Sequence, residues 1–464
     1  MIDQSAKKTA DKHENPMQVG TLTYTKVGLM VLFIWMLWGD FWFIMMEQLI
    51  PQLLPLSLKS FNASNATIGL MVGSLAAVVN MFIVPTVSFC SDRTRSRFGR
   101  RIPYLAFATP FVTLFLILIG WTPKLVEPLQ KFFSINLTPM QLGLIMTCFF
   151  VVCFQVFNMF VASVFYYLFA DVVPEKFMGR FMACFRLVGA TAGFCFNRYV
   201  IGLADTHMAW IYTGVAILYF ISFMLMCWRV KEGEYPPPAD TSERTSMLAS
   251  VKLYFRECFS LSFYRWFYLA TAINAVSMVC RTMFNIFFAK ENLGLDLATY
   301  GKIMSWGLLM GIVLYLPLGY LVDKFRPIRV YISGVVLVVF TNVFGFFLID
   351  SEQTFLIFTL LLGTVYAIQA SSNLPMYVEL LPKARFGQFC SAQAMAQSVI
   401  LIIANYGGGL FIDMIGDYRY IYLWDAIFTG VALIAIIIVY RRWKKYGGDD
   451  NYEAPTNNIK RHAA

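Results

Sequence analysis

Charged residues are scarce in this sequence. Only 14% of its 464 residues are Asp, Glu, Lys or Arg, whereas 58% are hydrophobic. Soluble domains carry about 25% charged and about 45–50% apolar residues. The composition therefore argues against an ordinary soluble domain and predicts an all-α integral membrane protein.

Residues that hold metals or form disulfides are also few or unsuitably placed. The three histidines, His13, His207 and His462, lie in predicted tails or in a loop. Most of the nine cysteines fall inside apolar runs, and none forms a Cys-x-x-Cys pair, which is typical of small buried hydrophobic residues. We therefore expect no metal, no cofactor and no enzymatic activity. The first 26 residues are polar, so no cleavable signal peptide is expected.

Long apolar runs are what the sequence has instead. A membrane-spanning helix needs about 20 mostly apolar residues, and we count twelve such runs. Their limits are 27–51, 66–90, 102–121, 139–168, 177–201, 208–228, 266–289, 297–321, 328–349, 353–377, 387–411 and 420–440.

One long charged segment divides the twelve runs into two halves. Residues 229–265 contain a Pro-Pro-Pro sequence and predict a cytoplasmic linker between six-helix bundles at 27–228 and 266–440. Within this linker, the amphipathic part from Val251 to Phe263 is predicted to lie along the membrane surface. The remaining segments, 1–26 and 441–464, are predicted to be cytoplasmic tails.

Basic residues predict the orientation of the chain. Most of the 37 lysines and arginines fall in the tails, the linker and the short segments on the same side of the membrane. Cytoplasmic segments carry the excess of Lys and Arg, so both termini are predicted to be cytoplasmic, in a plasma membrane or bacterial inner membrane. The same bias accounts for the net charge of +10 without a nucleic-acid partner.

Short motifs recur at equivalent places in the two halves. DVVPEKFMG at 171–179 follows the fourth run, and ELLPKARFG at 379–387 follows the tenth. Asp92 ends the second run, and Asp323 ends the eighth. Two six-helix halves related by parallel repetition are typical of transporters that bind substrate near the membrane midplane.

The loop after the second run carries a family resemblance. Residues 88–101 read SFCSDRTRSRFGRR. This resembles the Gly-x-x-x-Asp-Arg-x-Gly-Arg-Arg/Lys pattern of the major facilitator superfamily, although Ser88 replaces the first glycine. The additional residues between Arg93 and Gly99 make it similar to the glycoside–pentoside–hexuronide cation symporters and to the related sucrose and maltose transporters. The resemblance extends from about 27 to 440 and implies a twelve-helix major facilitator fold.

The resemblance also implies that this loop and its repeat act as a conformational latch. A carboxylate at the C-terminal end of a helix opposes the helix dipole, so arginines are expected to compensate Asp92 when the cytoplasmic gate is closed. The alternative is that the arginines only fix the topology. The predicted latch residues are Asp92, Arg93, Gly99, Arg100, Arg101, Asp171, Asp323 and Glu379.

Ionisable residues within predicted helices are costly and usually functional, and four of them are candidates for ion coupling. Asp40 lies about 14 residues into the first run, roughly 21 Å, and Arg281 about 16 residues into the seventh, roughly 24 Å. We expect Asp40 to be the ion-coupling carboxylate, with Arg281 as its partner or as a donor to sugar hydroxyls; a static ion pair is the alternative. Glu47 shares the face of Asp40 and is either an outer proton relay or a rim residue. Arg186 is a second candidate partner of Asp40.

Amide side chains occur at suitable depth for a sugar site. Sugars present hydroxyl groups and apolar ring faces, which amides and aromatic rings bind. The predicted substrate-binding residues are Asn80, Gln155, Asn158, Asn274, Gln369, Asn373, Gln397 and, as an aromatic platform, Phe43, with Phe33, Tyr366 and Trp306 as further aromatic candidates. For any single amide, the alternative is a hydrogen bond between helices.

Small residues recur in the second, fifth, eighth and eleventh runs, which cross between the halves in the family that the chain resembles. Such residues let helices approach closely, which suits alternating access; ordinary packing is the alternative. The glycines concerned are Gly69, Gly73, Gly189, Gly193, Gly307, Gly311 and the triplet 407–409.

Together these features predict a monomeric secondary transporter, a sugar–proton symporter of the disaccharide or glycoside class. The coupling ion is H⁺ or Na⁺, and the bilayer is the other partner. A small-metabolite or drug antiporter of the same fold and a non-transporting sugar receptor are the alternatives. The short tail after Tyr440 argues against the receptor.

Overall fold

The computed structural model describes residues 17–19, 21–133, 136–234 and 254–455, and helices dominate them. The long helices are α1 (Lys26–Glu47, continued by Leu49–Ser60), α2 (65–93, with a π-helical turn at Leu70–Ser74), α3 (Ile102–Phe133), α4 (Pro139–Val172), α5 (Glu175–Cys195), α6 (Ala204–Arg229), α7 (Ser262–Ser277 and Val279–Phe287), α8 (Leu297–Phe325), α9 (Pro327–Leu348), α10 (Glu352–Leu380), α11 (Phe386–Ile415) and α12 (Tyr420–Lys445). A short helix, α13 (Gly448–Asn451), follows, and strands β1 (Gln18–Val19) and β2 (Leu22–Thr23) form a small antiparallel hairpin before α1.

The predicted twelve-helix membrane fold is confirmed. Eleven helical stretches of the described residues are long and apolar enough to span a membrane. One of them, Glu175–Arg229, contains both α5 and α6. A π-helical turn at Phe196–Val200 and a 3₁₀ turn at Ile201–Leu203 join these two helices, and the backbone of His207 is non-helical. Two of the predicted spans therefore follow each other without an intervening loop.

Two helices extend far beyond the ends of their apolar runs. The first run was expected to end at residue 51, but helical structure continues to Ser60. The third was expected to end at residue 121, but α3 continues to Phe133 through Pro123 and Pro128. Apolar length reports where a helix leaves the hydrocarbon, and a helix can continue beyond that depth.

Polar side chains cap the N-termini of several helices. An oxygen of the residue before the helix accepts a backbone N–H of the first turn, which satisfies a donor that has no intrahelical partner. These caps are Thr25 on α1, Ser64 on α2, Thr138 on α4, Asp296 on α8 and Ser351 on α10.

The two halves repeat the same packing. In the first half α1 packs on α5 and α6, and α3 packs on α4 and α6. In the second half α7 packs on α11 and α12, and α9 packs on α10 and α12. This equivalence of helix pairs matches the repeated sequence motifs.

Three pairs of helices join the halves: α2 with α11, α5 with α8, and the continuation of α1 (Leu49–Ser60) with the second segment of α7 (Val279–Phe287). We call the bundle end that carries Thr25, Arg229 and Lys445 the tail face, and the end that carries Ser64 and Asp413 the far face. The hydrogen bonds between halves lie toward the far face: Ser74 Oγ donates to the carbonyl of Ile402 at 2.6 Å, and Lys290 Nζ to Asp205 at 2.9 Å.

Segments outside the membrane helices pack on the tail face. Cys258 is fully buried, and Tyr254 Oη donates to the carbonyl of Gln388 at 3.4 Å. Tyr452 Oη donates to the carbonyl of Leu380 at 2.8 Å. The described part of the predicted amphipathic segment thus docks against α11, whereas residues 251–253 lie outside the described part.

Candidate functional site

A cavity of about 500 Å³ lies between the two halves. Helices α1, α5, α7, α8 and α10 and one residue of α12 form its walls. Its polar lining consists of Gln48, Gln52, Asn197, Arg281, Thr282, Asn285, Tyr300, Tyr315, Thr359, Tyr366 and Tyr422. Contacts between the far-face ends of the two halves close the far-face side of this cavity.

A second chamber of about 310 Å³ adjoins the first and shares Pro51, Met278 and Thr282 with it. Helices α1, α2, α4, α7 and α11 enclose it. Its polar lining residues are Glu47, Gln155, Asn158, Thr282 and Asn405.

Arg281 is fixed at the wall of the larger cavity. Its guanidinium lies 4.6 Å from the centre of the Tyr366 ring, a cation–π contact. Nη1 donates to Asn342 Oδ1 at 3.4 Å, and Nη2 donates to Asp425 Oδ2. These contacts hold the guanidinium plane in one orientation.

Asp425 is fully buried behind Arg281. Its Oδ2 also accepts from Tyr366 Oη at 2.7 Å, and its Oδ1 accepts from Thr429 Oγ1 at 3.0 Å. A buried charge is tolerated only when it is paired and hydrogen-bonded, and this carboxylate is both. Sequence reasoning missed Asp425, although the rule that selected Asp40 applies to it.

The expected pair of Asp40 with Arg281 is not present. Asp40 is fully buried in the first half, and neither carboxyl oxygen has a hydrogen-bond partner among the described residues. Arg281 is occupied by Asp425 of its own half. Asp40 and Arg281 lie at similar depth on equivalent helices. They do not meet, because Asp40 is buried in the first half and Arg281 pairs within the second half. Arg186, the second candidate partner, is exposed.

Glu47 lies in the smaller chamber with two of the predicted amides. Asn158 Nδ2 donates to Glu47 Oε1 at 2.7 Å, and both Gln155 and Asn158 are 3% exposed. The amide oxygens Gln155 Oε1 and Asn158 Oδ1 are buried without a partner in the described part of the chain. This grouping offers three acceptor groups to a bound molecule.

The other predicted substrate residues do not line either cavity. Asn80 and Asn373 are exposed. Gln397 accepts from Gln393 at 2.7 Å, which ties two turns of α11 together. Asn274 and Gln369 are at least partly buried, and each has one side-chain atom without a partner among the described residues.

The prediction that Phe43 is an aromatic platform for the substrate is wrong, because Phe43 lines neither cavity. Phe43 is 2% exposed and packs against Phe165 and Phe223 in the interior of the first half, with ring centres 5.6 and 5.8 Å away. It shares a face with Asp40, but that face points into the bundle. Among the further aromatic candidates, Tyr366 lines the cavity, Phe33 packs on Phe181, and Trp306 is 52% exposed.

Predicted latch residues of the first half meet at the tail face. Arg101 Nε lies 3.0 Å from Asp171 Oδ2, and Arg100 also pairs with Asp171. Glu232 adds a contact that the sequence did not reveal: its carboxylate accepts the backbone N–H groups of Arg100, Arg101 and Ile102 at 2.7–2.9 Å. These N–H groups begin α3, so Glu232 caps that helix.

The second half repeats this arrangement. Arg326 Nη1 lies 3.9 Å from Glu379 Oε1, and Arg329 Nη2 lies 2.5 Å from Asp449 Oδ2. Asp449 follows α12 as Glu232 follows α6, and each carboxylate holds the loop before the third helix of its half. These contacts lie within each half. Asp323 and Arg93 are exposed, Gly99 has a φ of 102°, and the side chain of Asp92 lies outside the described part.

Several lining residues were not among the predicted site residues. They are Gln48, Gln52, Asn197, Asn285, Tyr300 and Asn405. Amides at membrane depth were a usable signal for Asn197, Asn285 and Asn405, whereas only the packing shows which faces of α5, α7 and α11 line a cavity.

Comparison with known proteins gives the family. The pattern of the family described as MFS/sugar transport protein matches residues 58–412. No curated protein sequence matches the chain.

Solved structures share the fold at low sequence identity. A D-xylose–proton symporter superimposes with a TM-score of 0.64 at 13% identity, over 89% of this chain and 98% of that chain. The nucleoside transporter NupG gives 0.65 at 13% identity, over 88% and 99%. A bacterial homologue of the iron transporter ferroportin, in an inward-facing state, gives 0.64 at 14% identity, over 89% and 99%. The chain therefore belongs to the MFS/sugar transport protein family and is a multi-pass secondary transporter, not an enzyme.

Proposed function

We propose that this transporter is a sugar–proton symporter that works by alternating access. The observation that carries the proposal is Asp40, a fully buried carboxyl group whose two oxygens have no hydrogen-bond partner among the described residues. Burying an isolated carboxylate is costly, whereas the neutral acid is tolerated. The site therefore favours a proton on Asp40, and losing that proton requires another conformation that brings water or a partner to it.

The chemistry of the two chambers supports a sugar as substrate. The larger cavity offers amides, hydroxyls and one arginine, together with the tyrosine rings of Tyr300, Tyr366 and Tyr422. The smaller chamber adds Glu47, Gln155 and Asn158. Amides and carboxylates bind hydroxyl groups, and aromatic rings cover the apolar faces of a sugar ring. The structural likeness to a D-xylose–proton symporter agrees with this proposal.

The orientation of the chain gives the proposed cycle its direction. With both termini in the cytoplasm, the tail face is cytoplasmic and the closed side of the cavity faces outward. Closure of the far face by α2, α5, α8 and α11 is then the outer gate. Rocking of one half against the other would exchange this gate for contacts at the tail face.

Uptake of protons tests the proposal. Cells that express the protein in unbuffered medium are given single sugars, and external pH is recorded. Alkalinisation with one sugar, absent in Asp40→Asn and kept in Glu352→Gln, is the expected result; Glu352 is an exposed carboxylate at the start of α10. Sugar accumulation that depends on Na⁺ without a pH change would replace the proton by Na⁺. No signal with any sugar would contradict the proposal and favour the metabolite antiporter.

A further inference from the structure

The lining of the larger cavity includes a positive charge, and a buried carboxylate that does not line the cavity neutralises it. Arg281 is the only Asp, Glu, Lys or Arg among the described residues that line this cavity. Its side chain is 12% exposed, and its partner Asp425 is fully buried. The counter-charge thus belongs to the protein and does not have to come from the substrate.

Asp425 is built as a fixed anion. Arg281, Tyr366 and Thr429 all donate to it, and Tyr366 also lies against the guanidinium of Arg281. Removing one partner of a buried pair leaves an uncompensated charge, which costs far more than the pair contributes. Loss of Asp425 would therefore leave Arg281 as a buried cation that faces the cavity.

We propose that Asp425 determines the charge of the substrate. By neutralising Arg281, it makes the cavity select uncharged molecules that hydrogen-bond to the guanidinium. Without it, Arg281 selects a carboxylate-bearing molecule instead. Asp425 does not line the cavity, so it acts through Arg281 as a positioning and specificity-determining residue. The charge compensation follows from the contacts alone, and only the choice of sugar probes rests on the proposed function.

A sugar-free experiment tests the compensation. The full-length carrier is purified, and its thermal unfolding midpoint is measured in sodium chloride and in sodium formate of equal ionic strength. Asp425→Asn is expected to lower the midpoint in chloride and to recover part of the loss in formate, which can reach Arg281 through the cavity. Wild-type protein and the control Thr429→Val, which loses a hydrogen bond but keeps the pair, are expected to show no formate effect. An Asp425→Asn variant without a formate effect would overturn the proposal.

The double variant Asp425→Asn, Arg281→Gln covers the case in which the single variant does not fold. If the unpaired charge of Arg281 prevents the single variant from folding, the double variant is expected to fold, and formate is expected to leave its unfolding midpoint unchanged. If the double variant also fails to fold, Asp425 serves only as a structural hydrogen-bond acceptor, and the proposal is overturned.

Paired sugar probes then test the specificity. Binding of methyl β-D-glucoside is compared with that of D-glucuronate. Wild-type protein is expected to prefer the neutral glucoside, and Asp425→Asn is expected to shift the ratio toward glucuronate by about tenfold or more, the change that 1.4 kcal/mol produces. A wild-type preference for glucuronate, or an unchanged ratio in the variant, overturns the proposal. A formate effect with neither probe bound supports the charge compensation and contradicts the sugar substrate.

Discussion

The carboxylate of Asp413 caps the N-terminus of α2 by accepting the backbone N–H of Asn65 at 2.9 Å. Its second oxygen accepts the N–H of Ala66, also at 2.9 Å. Asp413 belongs to α11, so the cap crosses from the second half to the first. Tyr418 Oη adds a hydrogen bond to Asn65 Oδ1 at 3.0 Å. The far face is therefore closed by specific hydrogen bonds between the halves as well as by packing.

Removing this cap is expected to weaken the closed far face. Asp413→Asn retains an oxygen but loses the charge that favours a helix N-terminus, and a lost cap costs about 0.5–2 kcal/mol. Spin labels at the exposed positions Asn62 and Met414 report the opening as longer distances in pulsed electron resonance. Asp296→Asn is the matched control, because Asp296 caps its own helix α8 within one half. Equal distance distributions in the two variants would contradict a gating role for Asp413.

The glycine triplet of α11 provides a second test of the same gate. A Cβ on Gly409 would lie 2.1 Å from the carbonyl oxygen of Asn65, whereas a Cβ on Gly407 would meet no heavy atom within 4 Å. We expect Gly409→Ala to prevent full closure, with an overpacking cost of about 1–3 kcal/mol, and to reduce transport strongly. Gly407→Ala, two residues away, is expected to transport at the wild-type rate. Similar transport by both variants would show that the halves do not need this close approach.

Sequence reasoning reached the fold because hydrophobic length and motif repetition are local signals. The twelve runs and the DVVPEKFMG and ELLPKARFG repeats are each readable within short segments. The glycine pattern was partly informative: Gly69 and Gly409 do lie at the contact between halves, whereas Gly307 packs against Thr359 of its own half.

The candidate site was less predictable because a site depends on which faces meet. Asp40 and Arg281 lie at similar depths, and depth alone suggested a pair. The actual partner, Asp425, also lies within a predicted run, but the sequence does not show that its face of α12 meets Arg281. Phe43 shares the face of Asp40, but only the packing of α4 and α6 shows that this face is interior. Depth is encoded locally, whereas rotation of one helix against another is not.

The cap on α3 predicts a role for the start of the linker. Glu232→Gln is expected to destabilise the arginine-rich loop by about 1–2 kcal/mol, because an amide oxygen accepts more weakly than a carboxylate from the N–H groups of a helix N-terminus. Limited trypsin digestion should then cleave faster between Arg93 and Arg101. Glu234→Gln is the control, since Glu234 is exposed and two residues farther along. Equal cleavage of both variants would show that the loop is held without Glu232.

Neutralising Asp40 is expected to separate sugar movement from proton movement. Asp40→Asn resembles the protonated acid in shape and charge, so the variant should still complete the conformational change with sugar bound. It should therefore catalyse sugar exchange across vesicle membranes at a rate close to wild type. Accumulation against a gradient should be lost, because no proton is released on the other side. The measurements are counterflow and pH-driven uptake of the same labelled sugar in the same vesicles.

The two measurements together distinguish coupling from structure. A variant that is merely damaged loses exchange and accumulation together. Any exchange that remains in it keeps the pH dependence of the wild type. An uncoupled variant keeps exchange and makes it independent of pH, because the group that titrates during the cycle is gone. Glu352→Gln should behave as wild type in both assays, since it removes an exposed carboxylate of α10. If Asp40→Asn retains full pH-driven accumulation, the proton is carried elsewhere. Glu47, in the smaller chamber with Asn158, is then the carboxylate to replace next.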